Sequence, residues 1–368
     1  MSRIKSFIKR EVTLCASFAA ALISCLFVVP DREYFGYIDL RTLALLYCLM
    51  VVVAGMRQAG VFSVMAHVMC ERAGSLRRIC TLMVALCFFS SMLITNDVAL
   101  LTFVPFAVVV LGMAHQTREL ILVVVLQTVA ANLGSILTPV GNPQNLYIYS
   151  YYDMGIGEFF SATLPVWGCA LVLIGAACLL FPRQKMELFL GERPDLDTRA
   201  LTVYALLFAV CMLVVFRVFA WQWMLLAIIA VLLVYERRML LRADFMLLLT
   251  FVCFFVFAGN LTRIDAVRAF FERILTGHEL IAGTVLSQVI SNVPAALLLS
   301  GFTDNGRALL LGVDIGGLGT PIASLASLIS LKLYSHSEHA NAGKFLGVFL
   351  LVNVLFLALL LPIGLLVA

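Results

Sequence analysis

Nearly the whole chain is a succession of apolar runs, each about long enough to cross a lipid bilayer, parted by short polar or Gly/Pro-containing breaks. A spanning helix needs roughly 20 apolar residues, and inside hydrocarbon every backbone N–H and C=O must find a partner within the protein. Such runs restrict the chain to a bundle of membrane helices. Of the 368 residues, 63% are hydrophobic and 12% charged, and the mean hydropathy is +1.06. A soluble domain is roughly 45–50% apolar and about 25% charged. The excess excludes a cytosolic enzyme, a nucleic-acid binder and a disordered scaffold. The expectation is an all-α polytopic membrane protein, not an enzyme, with the lipid bilayer as its solvent.

The runs give spans at 12–30, 40–56, 163–182, 200–217, 219–236, 243–260 and 345–367. Two further stretches, 118–148 and 307–331, are interrupted by Gly and Pro, and two paired stretches, 78–113 and 279–302, are broken at Thr95-Asn96-Asp97 and Ser291-Asn292-Val293-Pro294. Segments 58–72 and 262–276 read as amphipathic and interfacial. With the N-terminus inside, 18 of the 25 Lys and Arg residues fall on inner segments, among them Arg3, Lys5, Lys9, Arg10, Arg57, Arg72, Arg242 and Lys344. The outer seven are Arg32, Arg41, Arg217, Arg263, Arg268, Arg273 and Arg307. Cytoplasmic loops carry the excess of basic residues, so the N-terminus is expected in the cytoplasm and, after nine crossings, the C-terminus outside.

Two pairs of segments align with each other. Residues 91–101 lie over 287–297, matching Ser91 with Ser287, Thr95 with Ser291 and Asn96 with Asn292. Residues 132–141 lie over 314–323, matching Gly134 with Gly316, Thr138 with Thr320 and Pro139 with Pro321. Both matches in the same order indicate a duplication. Five spans separate the two broken pairs; the odd number inverts the second copy. The expected architecture is two inverted-topology repeats, 1–190 and 219–368, joined by a linking helix in 191–218. Each repeat holds a re-entrant helical hairpin and a broken transmembrane helix. The arms of the second pair, about 12 and 10 residues, reach only about 15–18 Å at 1.5 Å per residue, too short for a core roughly 30 Å thick.

Polar breaks at membrane depth survive where they line a protein-enclosed cavity. Helix N-termini there suit an anion; exposed carbonyls and Ser, Thr or Asn oxygens suit Na⁺. Asp97 and Asp314 are the two acids placed in the membrane interior, and an intramembrane carboxylate is functional by default. Asp97 is taken as a proton or cation site, with helix capping as the alternative.

The segments 95–105, 132–146, 286–299 and 316–328 resemble those of the citrate-transporter-like permeases of the ion transporter superfamily, over nearly the whole chain. That superfamily includes divalent-anion/Na⁺ symporters, arsenite efflux permeases and one class of Na⁺/H⁺ antiporters. The resemblance implies one ion site from Ser91, Thr95, Asn96 and the backbone near Gly134, beside Asp97. It implies a mate from Ser287, Ser291, Asn292 and the backbone near Gly316. Substrate would lie between them near Thr138, Pro139, Asn142, Thr320 and Pro321, with Val293 at the second tip. It also implies a homodimer. The tips depart from the dicarboxylate branch: Thr-Asn-Asp and Ser-Asn-Val replace Ser-Asn-Thr, so hydroxyls that would meet a carboxylate are missing.

The function expected is a secondary active transporter moving a small anion across the cytoplasmic membrane, coupled to Na⁺ or H⁺, with no cofactor and no metal beyond Na⁺. A cation/proton antiporter and an arsenite-type efflux permease are the alternatives, a channel or an aspartyl protease built on Asp97 and Asp314 the remote ones. No GxxxxGK[ST] phosphate loop is present, which leaves a gradient as the energy source. His336 and His339 have metal-like spacing but read as a solvated loop. No Lys or Arg falls in the inferred core, Arg217 reads as a snorkelling turn residue, and Asn260-Leu-Thr262 forms a glycosylation triplet.

Overall fold

The computed structural model describes residues 7, 11–71, 73–113, 116–186, 193–337 and 340–368. Arg3, Lys5, Lys9, Arg10, Arg72 and His339 lie outside the described residues. Those described form helices, with one isolated bridge between Ser75 and Lys185. In chain order the α-helices of eight or more residues are α1 (Val12–Ser24), α2 (Leu40–Gln58), α3 (Val61–Glu71), α4 (Leu76–Ile94), α5 (Asn96–Met113), α6 (Thr117–Ser135), α7 (Pro143–Tyr151) and α8 (Ile156–Cys178). After the link come α9 (Thr198–Val215), α10 (Trp221–Tyr235), α11 (Phe245–Thr262), α12 (Asp265–Leu275), α13 (Glu279–Ile290), α14 (Asn292–Leu299), α15 (Gly306–Gly316), α16 (Leu325–Ser335) and α17 (Ala342–Val367).

Seven of the described helices are long and apolar enough to cross a membrane: α2, α4, α6 (from Arg118), α8, α9, α11 and α17. The difference from the nine expected crossings has a local cause. Helix α1 stops at Ser24 after 13 residues, about 20 Å, and the chain turns through Leu26 and Phe27 toward Pro30. Helix α10 has 15 residues and gives way to a 3₁₀ turn at Arg237–Leu241. The interrupted stretches divide into short halves, α6 with α7 and α15 with α16. Helix α4, conversely, is long enough by itself to span, with 19 residues.

Lipid supplies no water-driven force between helices, so they associate through close packing and interhelical hydrogen bonds. Helix α6 is the most enclosed of the seven candidates, 83% buried, against 22% for α17. Small residues on α6, Ala130, Ala131 and Gly134, let its neighbours approach closely. Outer helices carry exposed apolar side chains such as Val234, Leu351 and Leu366, a surface suited to hydrocarbon.

The packing is criss-crossed. Helix α4 lies along α6 and α13 along α15, while α16 packs against α5 and α7 against α14. At one end, Arg263 binds Asp31 at 2.7 Å and Glu33 at 3.4 Å; its hydrogen bond holds the Asp31 carboxyl below the usual carboxylate range. Arg217 is a turn residue, with φ of 62°, but does more than snorkel. It pairs with Asp153 at 2.9 Å and stacks over Tyr149, tying the end of α9 to α7. The Asn260 triplet is no acceptor on an accessible surface: Asn260 is fully buried, and its Nδ2 donates to Ser24 Oγ at 2.9 Å.

Candidate transport site

One residue separates α4 from α5, and one separates α13 from α14. Thr95 has φ 70° and ψ 150°; Ser291 has φ 77° and ψ 153°. A positive φ is uncommon for a residue other than glycine, the more so for β-branched Thr. The same backbone state at aligned positions turns both chains at one point. Expected breaks of three and four residues therefore shrink to one each, and Asn96, Asp97, Asn292, Val293 and Pro294 belong to the following helices.

The first backbone N–H of each following helix is not free. Asn96 N donates to the Gly141 carbonyl at 3.1 Å, and Asn292 N donates to that of Ala323 at 2.9 Å. Each asparagine oxygen then accepts the next N–H, from Asp97 at 2.9 Å and from Val293 at 3.0 Å. Thr138 Oγ1 donates to the Met92 carbonyl, and Thr320 Oγ1 to the Gln288 carbonyl at 3.1 Å. Ser91 and Ser287 are buried. A methyl at Gly134 would overlap the Phe88 carbonyl oxygen and stand 2.6 Å from Ser91 Oγ; one at Gly316 would stand 2.8 Å from Thr284 Cα and 2.9 Å from Ser287 Oγ. These two glycines are required because α6 and α15 press onto α4 and α13 there. Gly134, Thr138, Gly141, Ser91 and Met92 match Gly316, Thr320, Ala323, Ser287 and Gln288 in the sequence alignment.

Between α6 and α7, and between α15 and α16, the backbone is irregular and largely buried, and its polar groups need partners. Asn142 caps α7, its oxygen accepting Asn145 N at 2.9 Å, with Pro143 at the first helical position. Ser324 caps α16, accepting Ala326 N at 3.2 Å. The two caps reach across to the other half. Ser324 Oγ donates to Asn132 Oδ1 at 3.1 Å, and Asn142 Nδ2 donates to Asp314 Oδ1 at 3.4 Å. Asn132 matches Asp314, and Asn142 matches Ser324, so these contacts are reciprocal. Asn132 Oδ1 also accepts Asn96 Nδ2 at 3.1 Å, and Asp314 Oδ1 accepts Gln144 Nε2 at 3.2 Å. Asn145 Nδ2 serves the carbonyls of Ser135, Ile136 and Thr138 at 3.2–3.4 Å.

A cavity of about 590 Å³ reaches the first tip. Thr95, Asp97, Asn142 and Pro143 lie on its wall together with Arg57, Gln58, Arg242 and Asp244. Of the predicted residues, it brings together Thr95, Asp97 and Asn142. Ser91, Asn96, Gly134, Thr138 and Pro139 pack around or beside this end without lining it, and neither Ser287, Ser291, Asn292 and Val293 nor Gly316, Thr320 and Pro321 line it. Pro139 is buried and Pro321 half-buried in the two loops. Among the described residues no Lys or Arg is buried, but Arg57 and Arg242, both exposed, share a cavity with the tip. They sit at helix ends far apart in sequence, and only packing joins them.

Two carboxylates are incompletely satisfied. Asp97 Oδ1 and Asp314 Oδ2 have no hydrogen-bond partner among the described residues, and Asp314 is 2% exposed. Gln144, Asn145, Asn132 and Gln288 were not singled out by sequence reasoning; all lie within the aligned or family-like segments. Among the described residues, no three His, Cys, Asp or Glu side chains converge as metal ligands.

A family model described as citrate transporter matches residues 5–305. An uncharacterized transporter of Methanocaldococcus jannaschii is 31% identical over 342 residues, 92% of this chain and 93% of that protein. An inner membrane protein of Escherichia coli is 29% identical over 314 residues, covering 83% of this chain and 84% of its own length. A silicon efflux transporter of Oryza sativa subsp. japonica is 28% identical over 153 residues, 42% of this chain and 31% of that protein.

Proposed function

The chain belongs to the citrate transporter family, and from that membership we propose that it is a secondary active transporter carrying a small anion across the cytoplasmic membrane on a Na⁺ or H⁺ gradient. Membership makes it a multi-pass membrane transporter and not an enzyme. The cavity carries the finer reading. Two arginines stand on its wall, and it ends at the first tip, where the Thr95 hydroxyl and the positive end of a helix dipole face an anion. The coupling ion binds beside it, at Ser91, Thr95, Asn96, Asp97 and the backbone near Gly134. Substrate contacts Asn142 and the loops at Thr138, Pro139, Thr320 and Pro321, with Val293 at the second tip.

The two halves are read as inverted repeats, 1–190 and 219–368, with α13–α14 as a re-entrant hairpin from its short arms and α4–α5 as one from its match to that pair, its first arm being long enough to span. The matched backbone angles of Thr95 and Ser291, and the matched bonds of Asn96 and Asn292, support this. So do the reciprocal caps of Asn142 and Ser324. Inverted halves supply two related conformations, one for each membrane face. The cavity at the first tip lies on the side of Arg57 and Arg242, which the basic-residue asymmetry assigns to the cytoplasm; the alternate conformation opens the second tip outward. The N-terminus is then cytoplasmic and the C-terminus outside, and the working unit is a homodimer.

A second reading is favoured by one observation. Asp97 puts a fixed carboxylate on the cavity wall, which repels an anion but can hydrogen-bond a neutral hydroxylated acid exported against a cation. A partial relative carries the name silicon efflux transporter. Reconstitution in liposomes tests both readings. Imposed Na⁺ and pH gradients are applied separately against citrate, succinate, sulfate, phosphate, arsenite and silicic acid. The expected result is gradient-driven movement of one of the anions. Movement confined to arsenite or silicic acid selects the second reading, and no gradient-driven flux of any solute overturns both.

A further inference from the structure

The second tip differs from the first in what occupies its loop carbonyls. Gln288 lies on α13 where the first half has Met92. Its Nε2 donates to the carbonyls of Gly316 at 2.8 Å and Leu318 at 2.9 Å, and lies 3.2 Å from that of Thr284. Its Oε1 accepts Thr320 N at 2.9 Å. The loop is shaped around this amide: Gly319 has φ of 104°, and a methyl there would overlap Gln288 Oε1. Gly316 offers the backbone oxygen on which a second cation would rest if the second half copied the first. An amide –NH₂ carries partial positive charge and two hydrogens, so at these carbonyls it does what a bound cation does: it satisfies inward-pointing oxygens that hydrocarbon would leave bare.

At the first tip the matching carbonyls are those of Gly134 and Ile136, and among the described residues a side-chain amide, that of Asn145, serves only the second of them. Met92 has no donor, and the Gly134 carbonyl accepts only backbone N–H groups of its own loop. The amide that serves the first loop, Asn145, reaches Ser135, Ile136 and Thr138 and not Gly134. Asp97 stands there with an unpartnered oxygen, whereas its mate at the second tip is Val293. A carboxylate with an unpartnered oxygen attracts a cation; a valine and a tethered amide do not.

We infer that the Gln288 side chain is a built-in substitute for the cation of the second site, held by the Gly316 and Leu318 carbonyls, so that the chain binds one coupling cation, at the first tip. This rests on the transporter reading above and sharpens it to a single coupling ion per chain per cycle. A permanent occupant also keeps the second loop ordered whichever face is open.

Sodium is the probe. Radioactive Na⁺ bound at saturation is counted on the purified full chain in detergent, at fixed ionic strength with choline replacing Na⁺, for the native protein and for Gln288→Glu and Gln288→Ala. The Glu variant keeps the side chain's shape but turns its two donors into acceptors; the Ala variant empties the cage. The expected result is at most one Na⁺ per native chain and one more in either folded variant, with a Na⁺-dependent rise in melting temperature larger than that of the native protein. Two Na⁺ per native chain overturns the inference, whether or not the variants fold. A folded variant that is merely less stable, with no added Na⁺, also overturns it by reducing Gln288 to a structural bond. The count needs no transport, so it fails separately from the liposome flux on which the functional reading depends.

Discussion

The first and second tips share a backbone and differ in chemistry. At both, a single residue of positive φ turns the chain, an asparagine caps the helix that follows, and a loop carbonyl takes that helix's first N–H. The first tip then opens on a cavity and carries an aspartate; the second carries a valine, lines no part of that cavity, and has its loop filled by a glutamine amide. The scaffold is what duplication preserves, because each bond in it satisfies a backbone group that hydrocarbon will not. The side chains that meet ligand are free to diverge.

The sharpest break of the shared scaffold is at its glycines. Gly134→Ala sets a methyl against a backbone carbonyl that cannot swing away, with a cost at or beyond the roughly 3 kcal/mol end of overpacking. Little folded protein is expected in size-exclusion profiles. Gly316→Ala meets Thr284 and Ser287 at 2.8–2.9 Å, where a small helix shift relieves the contact, so folded protein with a lowered melting temperature is expected. Equal loss in both variants would remove the asymmetry. The next largest effect is on flux. Asn96→Ala and Asn292→Ala are each expected to abolish transport in liposomes while folded protein persists, because each asparagine orders a tip without filling a core. Normal flux in either returns that asparagine to helix–helix contact alone.

Asp97 tests the chemical difference. Asp97→Asn keeps the shape and leaves the Asn96 cap on its N–H in place, so stability is expected to change little. The pH dependence of flux is expected to flatten, because the amide neither binds nor releases a proton and no longer offers a carboxylate to a cation. An unaltered pH profile assigns Asp97 to the helix start and nothing more.

Much of this was legible in the sequence for a physical reason. Hydrocarbon enforces helix and punishes each polar break, so the breaks at Thr95, Gly134–Asn142, Ser291 and Gly316–Ser324 stand out, and their duplication marks the paired bonds. Element ends were less legible: α1 stops at Ser24 although the apolar run continues, because apolar side chains beside the interface need not be helical. The cavity was illegible. Arg57 and Arg242 are ordinary loop-side basic residues until packing sets them on one wall with Asp97. Gln288 did leave a trace, a polar residue on an apolar arm where the aligned residue is Met92. The Asn260 triplet misled because a three-residue motif carries no information about burial.

The smallest effect concerns the centre, where the two halves exchange their caps. Asn132 uses both ends of its amide: Oδ1 accepts from Asn96 and Ser324, and Nδ2 donates to the Gly317 carbonyl at 3.4 Å. Asp314 at the matching position accepts on Oδ1 from Asn142 and Gln144, and its Oδ2 has no hydrogen-bond partner among the described residues. The carbonyl that matches Gly317 is that of Ser135. Asp314→Asn, which writes the first half's residue into the second, puts an amide donor in place of an unpartnered buried oxygen. A net hydrogen bond contributes about 1 kcal/mol, so thermal unfolding should show a small rise in stability, while Asn132→Asp should lower it by a similar amount or more. If Asp314→Asn instead destabilises the protein, the acid is held there by something its mate lacks, and the centre must be counted with the tips among the places where the halves have diverged in chemistry.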